Sequence, residues 1–288
     1  MTGLDLYTGT ARVSSARVIG AYSTSFGLAS RLLTRRVRAA IADIYALVRV
    51  ADEVVDGPAA EAGVDAEERR RILDELERET LTAMRRGFSA NLTVHAFAVT
   101  ARETGIAEEL VAAFFSSMRT DIDPPAAFDD EAYRRYIHGS AEVVGSMCLR
   151  AFMLERGATT ERRPDVEEGA RRLGSAFQKV NFLRDLADDC DRLGRCYFPG
   201  VDPARFSEEE KRAIVADIEA DLAAARRALP HLPRRARSAT GAALGLFAEL
   251  NRLLAAAPAE RIRRERLSVP RRTKAAIVLR AIAGRDPR

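Results

Sequence analysis

The chain has 288 residues, 47 % of them hydrophobic, and a net charge of +4. That length suits one large domain with a sizeable core, and the absence of period-two alternation excludes a sheet protein, so the chain reads as all-α. The charge is no whole-surface field: residues 261–288 carry a net +8 and the remainder about −4, which excludes a basic nucleic-acid-binding face on the core.

In chain order, "MTGLDLYTGT" has neither a basic start nor an apolar core, so no signal peptide is expected. Residues up to about 15 read as unstructured, ahead of a helix over about 13–33. A second, apolar helix over about 36–56 stops at the loop "DGPAAEAG". Asp65 with Glu68 three residues on resembles a capping box, opening a helix that runs to Gly87. Further helices are expected over about 90–104, 106–120, 129–156, 165–193, 207–228 and 235–257, with a last one over about 271–283 after Pro270. "DIDPPAAFDD", "GRCYFPGVDP" and "PHLP" are breakers. The longest apolar run, "GAALGLFAELNRLLAAAPA", is interrupted by Glu249, Asn251 and Arg252 and is not a membrane span. No fixed-period repeat or low-complexity linker appears, so a single helical domain is expected. Three cysteines (Cys148, Cys190, Cys196) without framework spacing point to a reducing, cytoplasmic compartment.

Two helices carry a stripe that does not suit them. In "IYALVRVADEVVDG" Tyr45, Arg49, Asp52 and Asp56 fall on one face, while Ala46, Leu47, Val48, Val50, Val54 and Val55 make the rest apolar. In "NFLRDLADD" and the residues before it, Gln178, Asn181, Asp185 and Asp189 do the same among Phe177, Val180, Phe182, Leu183 and Leu186. A polar stripe on a buried helix must line a wet cavity or bind something. One such D-x-x-x-D pair is ordinarily a solvated helix end, but two, each continuing a polar stripe into an apolar helix, are harder to dismiss. Four carboxylates converging in a dry cavity cannot all stay ionised without cations. Hard divalent cations suit them, and Mg²⁺ typically completes its shell with water and phosphate. The stripes therefore predict a metal–diphosphate site with apolar walls. His95, His138 and His231 are isolated and no E-x-x-H occurs, which argues against a di-iron bundle.

"DEVVD" and "NFLRDLADD" resemble the two aspartate-rich motifs of the squalene/phytoene synthase family. "YSTSFGLASRLL" resembles its S-x-S-F flap, "GRCYFP" the segment after its second motif, and "RLSVPRRTK" its C-terminal basic segment. The similarity covers roughly residues 20–280. It implies an isoprenoid-synthase-type helical bundle around a central cavity. It also implies that Asp52, Asp56, Asp185 and Asp189 hold Mg²⁺, or Mn²⁺ in its place, and through it diphosphate. Arg49, Arg184 and Arg266 would contact phosphate, with Tyr45 beside them on the first stripe. Ser23, Ser25 and Phe26 would form the flap, and Tyr136, Gln178 and Asn181 would line the chamber. Three positions depart from the family pattern: His138 and Glu142 replace a tyrosine and a glycine, and Phe247 stands where some members have tyrosine.

The activity implied is head-to-head condensation of two geranylgeranyl diphosphates to phytoene through a cyclopropyl diphosphate intermediate. Squalene or dehydrosqualene formation from farnesyl diphosphate is the alternative. No separate site for a nucleotide phosphate is apparent, so NADPH is not expected. A catalytically dead relative would show eroded aspartates, and all four are present. The segment "RRTKAAIVLRAIA" combines a basic edge with Ala275, Ile277, Val278, Leu279 and Ile282. It is expected either to pack on the domain or to dock peripherally on the inner face of a membrane.

Overall fold

The computed structural model describes residues 2–23, 25–125, 127–155, 163–186 and 195–283, with residues 25 and 26 described by their backbone alone. Helices fill it, and no strand occurs among the described residues. Helix α1 (Gly3–Tyr22) begins well before the pattern suggested. The Thr2 hydroxyl accepts from the Asp5 amide at 3.1 Å, and the Asp5 carboxylate accepts from the Thr2 amide at 2.7 Å. Residues 3–12, expected to be unstructured, are thus the first turns of a capped helix. Its buried positions are Ala11, Ser15 and Ile19, too small and polar to leave a periodic signal. The single helix expected over 13–33 is also divided. Ser23 is extended (φ −129°, ψ 112°), and α2 (Ser25–Ser30) follows it.

Helix α3 (Arg35–Asp56) runs through the middle of the molecule, its N-terminus capped by Thr34. A short α4 (Pro58–Glu61) leads to α5 (Ala66–Arg86), where Asp65 accepts from the Glu68 amide at 2.9 Å. Gly87 ends α5 at φ 83°, the left-handed turn that glycine adopts without strain. Helices α6 (Leu92–Thr104) and α7 (Glu108–Ile122) complete one half. Its core holds Ile44, Leu47, Leu73, Phe97, Phe114, Phe115 and Met147.

The helix expected over 129–156 is α8 (Asp130–Ile137), a π-turn at His138–Glu142, and α9 (Val143–Phe152) in one rod. The other half is built from α10 (Pro164–Arg184), α11 (Glu208–Ala228) and α12 (Arg234–Ala256), around Val180, Leu183, Ile218, Leu222, Leu244 and Leu254. A short α13 (Ala259–Ile262) and α14 (Arg271–Ile282) close the described chain. Two of the three lysines are structural. Lys179 ties α10 to α11 through Asp217 (2.5 Å) and Asp221 (2.8 Å), and Lys211 donates to the Ala255 and Ala257 carbonyls at the end of α12.

The π-turn crosses α10 with backbones almost touching. A Cβ on Gly174 would sit 2.3 Å from the Ala141 carbonyl oxygen, and one on Gly145 would sit 2.3 Å from that of Ala170. Only glycine allows this approach. A π-turn inside an α-helix often marks a functional region, and this one contributes Ser140 and Ala141 to a cavity between the two halves.

Candidate active site

That cavity encloses about 290 Å³ and is almost wholly apolar. Ile41, Ile44 and Val48 of α3 line one side, Leu173 and Phe177 of α10 the other, and Ala29 and Leu33 an end. The polar groups on its wall include Tyr45 from the first stripe and Gln178 and Asn181 from the second. One side chain of the first stripe and two of the second therefore line one cavity, whereas Asp52, Asp56 and Asp185 are not on its wall. Burial raises the Tyr45 hydroxyl above its usual range, although Arg49 opposes the shift, and that hydroxyl is hydrogen-bonded with Ser23.

Beyond Tyr45, the α3 stripe becomes ionic. Arg49 donates to Asp52 at 3.4 Å, pairs with Glu53 at 2.6 Å, and stacks its guanidinium over the Tyr22 ring at 4.5 Å. Burial, then the neighbouring Asp56 charge, pushes the Asp52 carboxyl up to about 8.

Asp56 is held from behind. The buried Arg195, 6 % exposed, donates to the Asp56 carboxylate at 2.5 Å, to the Val55 carbonyl at 2.9 Å and to the Asp121 carbonyl at 2.7 Å. The Asp121 side chain, also 6 % exposed, accepts from the Tyr136 hydroxyl at 2.8 Å and the Tyr197 hydroxyl at 3.1 Å. Burial pushes Asp121 up to about 7, against the pull of Arg195. The Tyr197 ring stacks on Phe182 at 3.8 Å, which fixes this support to α10.

Tyr136 was expected to line the chamber, and this is corrected: it lies in the hydrogen-bonded support behind Asp56 and is not part of the cavity wall. Asp121, Arg195 and Tyr197 were missed. Arg195 and Tyr197 sat in a segment singled out only as "GRCYFP", and Asp121 in a stretch taken solely for a helix breaker.

The second stripe behaves differently. Helix α10 ends at Arg184 with Asp185 as its C-cap (φ −100°, ψ 12°), Leu186 is again helical, and residues 187–193 of the expected span lie outside the described residues. Arg184 donates to Asp185 through Nε at 2.8 Å, and Arg266 reaches the same carboxylate through Nε at 2.7 Å from the segment before α14. Two of the three arginines expected at phosphate, Arg184 and Arg266, are thus on Asp185, and the third, Arg49, is on Asp52 and Glu53. Asp189 and its neighbour Asp188 lie outside the described residues, as do the side chains of Ser25 and Phe26. Among the described residues no group of three histidine, cysteine or acidic side chains comes together closely enough to hold a metal ion. The donor set still fits a hard divalent cation. The carboxylate oxygens of Asp52, Asp56 and Asp185, each facing a guanidinium, are hard donors of the kind such a cation takes.

The departures His138 and Glu142 pair with each other across the π-turn at 3.0 Å and are not part of the cavity wall. Phe247 stacks on Phe177 at 3.9 Å, an apolar pair where a hydroxyl would otherwise reach the chamber.

The model of the squalene/phytoene synthase family matches residues 19–273. The phytoene synthase of Mycobacterium tuberculosis is 29 % identical over 88 % of this chain and 84 % of its own length. The presqualene diphosphate synthase of Zymomonas mobilis is 32 % identical over 73 % of this chain and 66 % of its own. A solved dehydrosqualene synthase superposes with a TM-score of 0.76 at 20 % identity, over 96 % of this chain and 97 % of that one. The squalene synthase of Alicyclobacillus acidocaldarius gives 0.73 at 19 % identity, over 86 % and 94 %. The family model spans most of the chain, and the chain belongs to the squalene/phytoene synthase family of prenyl-transferring enzymes.

Proposed function

We propose that the chain condenses two molecules of geranylgeranyl diphosphate head to head, through a cyclopropyl diphosphate, to phytoene. The observation that carries the reading is one apolar cavity walled by Tyr45 on one side and Gln178 and Asn181 on the other, with acidic residues following each stripe. Several relatives named phytoene synthase support the C20 substrate.

Mg²⁺ fits the donor set and would be held by Asp52, Asp56, Asp185 and Asp189, neutralising diphosphate and easing its departure. With a cation bound, the carboxylates would turn to it and leave Arg49, Arg184 and Arg266 to donate to phosphate oxygens. The first C–O bond breaks, and the second substrate's double bond attacks the allylic cation. Loss of a proton closes the cyclopropane, which retains one diphosphate. Its ionisation and rearrangement give the 1–1′ linked chain, and loss of a second proton gives C40H64. The apolar wall keeps water from both cations, and the Phe177 ring on that wall offers them π density. Released diphosphate is the base, so no nicotinamide is required.

Product mass after incubation with C15 and C20 diphosphates, with and without NADPH, tests the reading. The expected result is C40H64 from the C20 substrate with Mg²⁺, indifferent to NADPH. Dominant C30 product, or a reduced product only with NADPH, would favour squalene or dehydrosqualene synthesis.

A further inference from the structure

The basic residues are not spread over the surface. Residues 6–42 hold six arginines and no carboxylate, and residues 266–285 hold six basic residues and no carboxylate. Together they carry +12 against +4 for the whole chain, so the rest is −8. The fold sets these two segments side by side. Val278 and Ala281 of α14 pack with Ala29, Ala242 and Ala243, and Leu28 and Leu32 of the first segment pack on that cluster.

On one side of the contact, Leu28 also lines a groove of about 630 Å³ between α1, α2 and the start of α3, rimmed by Arg12, Arg31, Arg35 and Arg38. Arg12 is held by Glu103 at 3.1 Å, whereas Arg31, Arg35 and Arg38 are exposed and pair with no carboxylate among the described residues. On the other side, α14 leaves its outer face uncovered. Leu279 is 65 % and Ile282 55 % exposed, flanked by the exposed Arg272 and Arg280. Large apolar side chains within a basic rim fit an interface that is apolar inside and anionic at its surface.

We infer that this face, α14 together with Arg31, which follows α2, and Arg35 and Arg38 at the start of α3, docks on an anionic phospholipid bilayer. Leu279 and Ile282 enter the headgroup–acyl boundary, and Arg31, Arg35, Arg38, Arg272 and Arg280 meet lipid phosphates. Helix α14 packs through Val278 and Ala281 and leaves its opposite edge, with Leu279 and Ile282, exposed. No helix among the described residues is long and apolar enough to cross a membrane, so the attachment is peripheral. The groove and the apolar cavity share Ile19 and Ser30 as walls, so a docked bilayer lies one side chain away from the chamber.

Co-sedimentation of the full chain with vesicles tests this without reference to activity. Binding is expected to phosphatidylcholine vesicles containing phosphatidylglycerol at low salt, not to phosphatidylcholine alone, and to fall as salt rises. Removing three phosphate contacts with R31Q/R35Q/R38Q should weaken binding by about 100-fold. L279S/I282S, on the other segment, should weaken vesicle binding while leaving affinity for a DNA duplex unchanged. Circular dichroism checks that each variant keeps its helicity. Absence of binding at low salt, equal binding to neutral vesicles, or parental binding by either folded variant overturns the proposal. So does a DNA duplex that displaces vesicles from a chain insensitive to L279S/I282S.

Discussion

Arg195→Ala is the most informative perturbation of the support behind Asp56. The guanidinium is almost wholly buried and donates to three acceptors: the Val55 and Asp121 carbonyls and the Asp56 carboxylate. Alanine leaves all three without that donor. At about 1 kcal/mol for each neutral acceptor and about 2 kcal/mol for the charged one, the loss is about 4 kcal/mol. For a chain of this size that lowers Tm by about 8–16 °C. Lysine carries one ammonium where three directed donors are needed, so Arg195→Lys should recover less than half of the loss. Urea denaturation followed by circular dichroism, in metal-free buffer, measures both variants. A loss below about 1 kcal/mol for alanine, or full recovery by lysine, would refute the view that Arg195 joins the ends of α3 and α7.

Gly174→Ala forces a methyl against the Ala141 carbonyl oxygen, so about 1–3 kcal/mol of stability should be lost, read by thermal melting; an unchanged Tm would contradict the close crossing. Asp52→Ala or Asp185→Ala should cut turnover by at least about 100-fold while helicity persists, and near-normal turnover in either folded variant would remove that residue from the site. The raised carboxyl of Asp121, about 7, binds a proton in the folded chain that the unfolded chain, near 3.8, has released. Stability should therefore fall as pH rises from about 4 to about 7 in chelator. Asp121→Asn should reduce that slope, the raised Asp52 carrying the remainder; a slope unchanged by it would place the titration elsewhere.

How far the sequence reaches depends on how local the cause is. Helix α5 was readable because Asp65 and Gly87 act within a turn of their own positions. The two stripes were readable because spacing alone puts Tyr45 with Arg49 and Asp52, and Gln178 with Asn181 and Asp185. The break at Ser23 left no glycine or proline to announce it, and α1 buries too little apolar surface for its period to show. The support behind Asp56 is non-local. Arg195 reaches back 139 residues to Asp56, and Tyr197 reaches 76 to Asp121, and no spacing rule connects such positions. Tyr136 was misassigned for the same reason: its hydroxyl is claimed by Asp121, a partner hidden in an apparent loop. The end of α10 at Arg184 follows from Asp185 turning to meet Arg184 and Arg266, and Arg266 lies 81 residues away.

The central claim is that the α3 and α10 stripes make one diphosphate site. Calorimetric titration of an unreactive prenyl thiolodiphosphate with Mg²⁺, into the parent, Asp52→Ala, Asp185→Ala and the double variant, tests it most directly. If the site is shared, each single variant weakens binding by about 10-fold or more, and the double variant loses less than the sum of the two. Parental affinity in either single variant, or strictly additive losses, would mean that the two stripes do not hold the same diphosphate–metal unit.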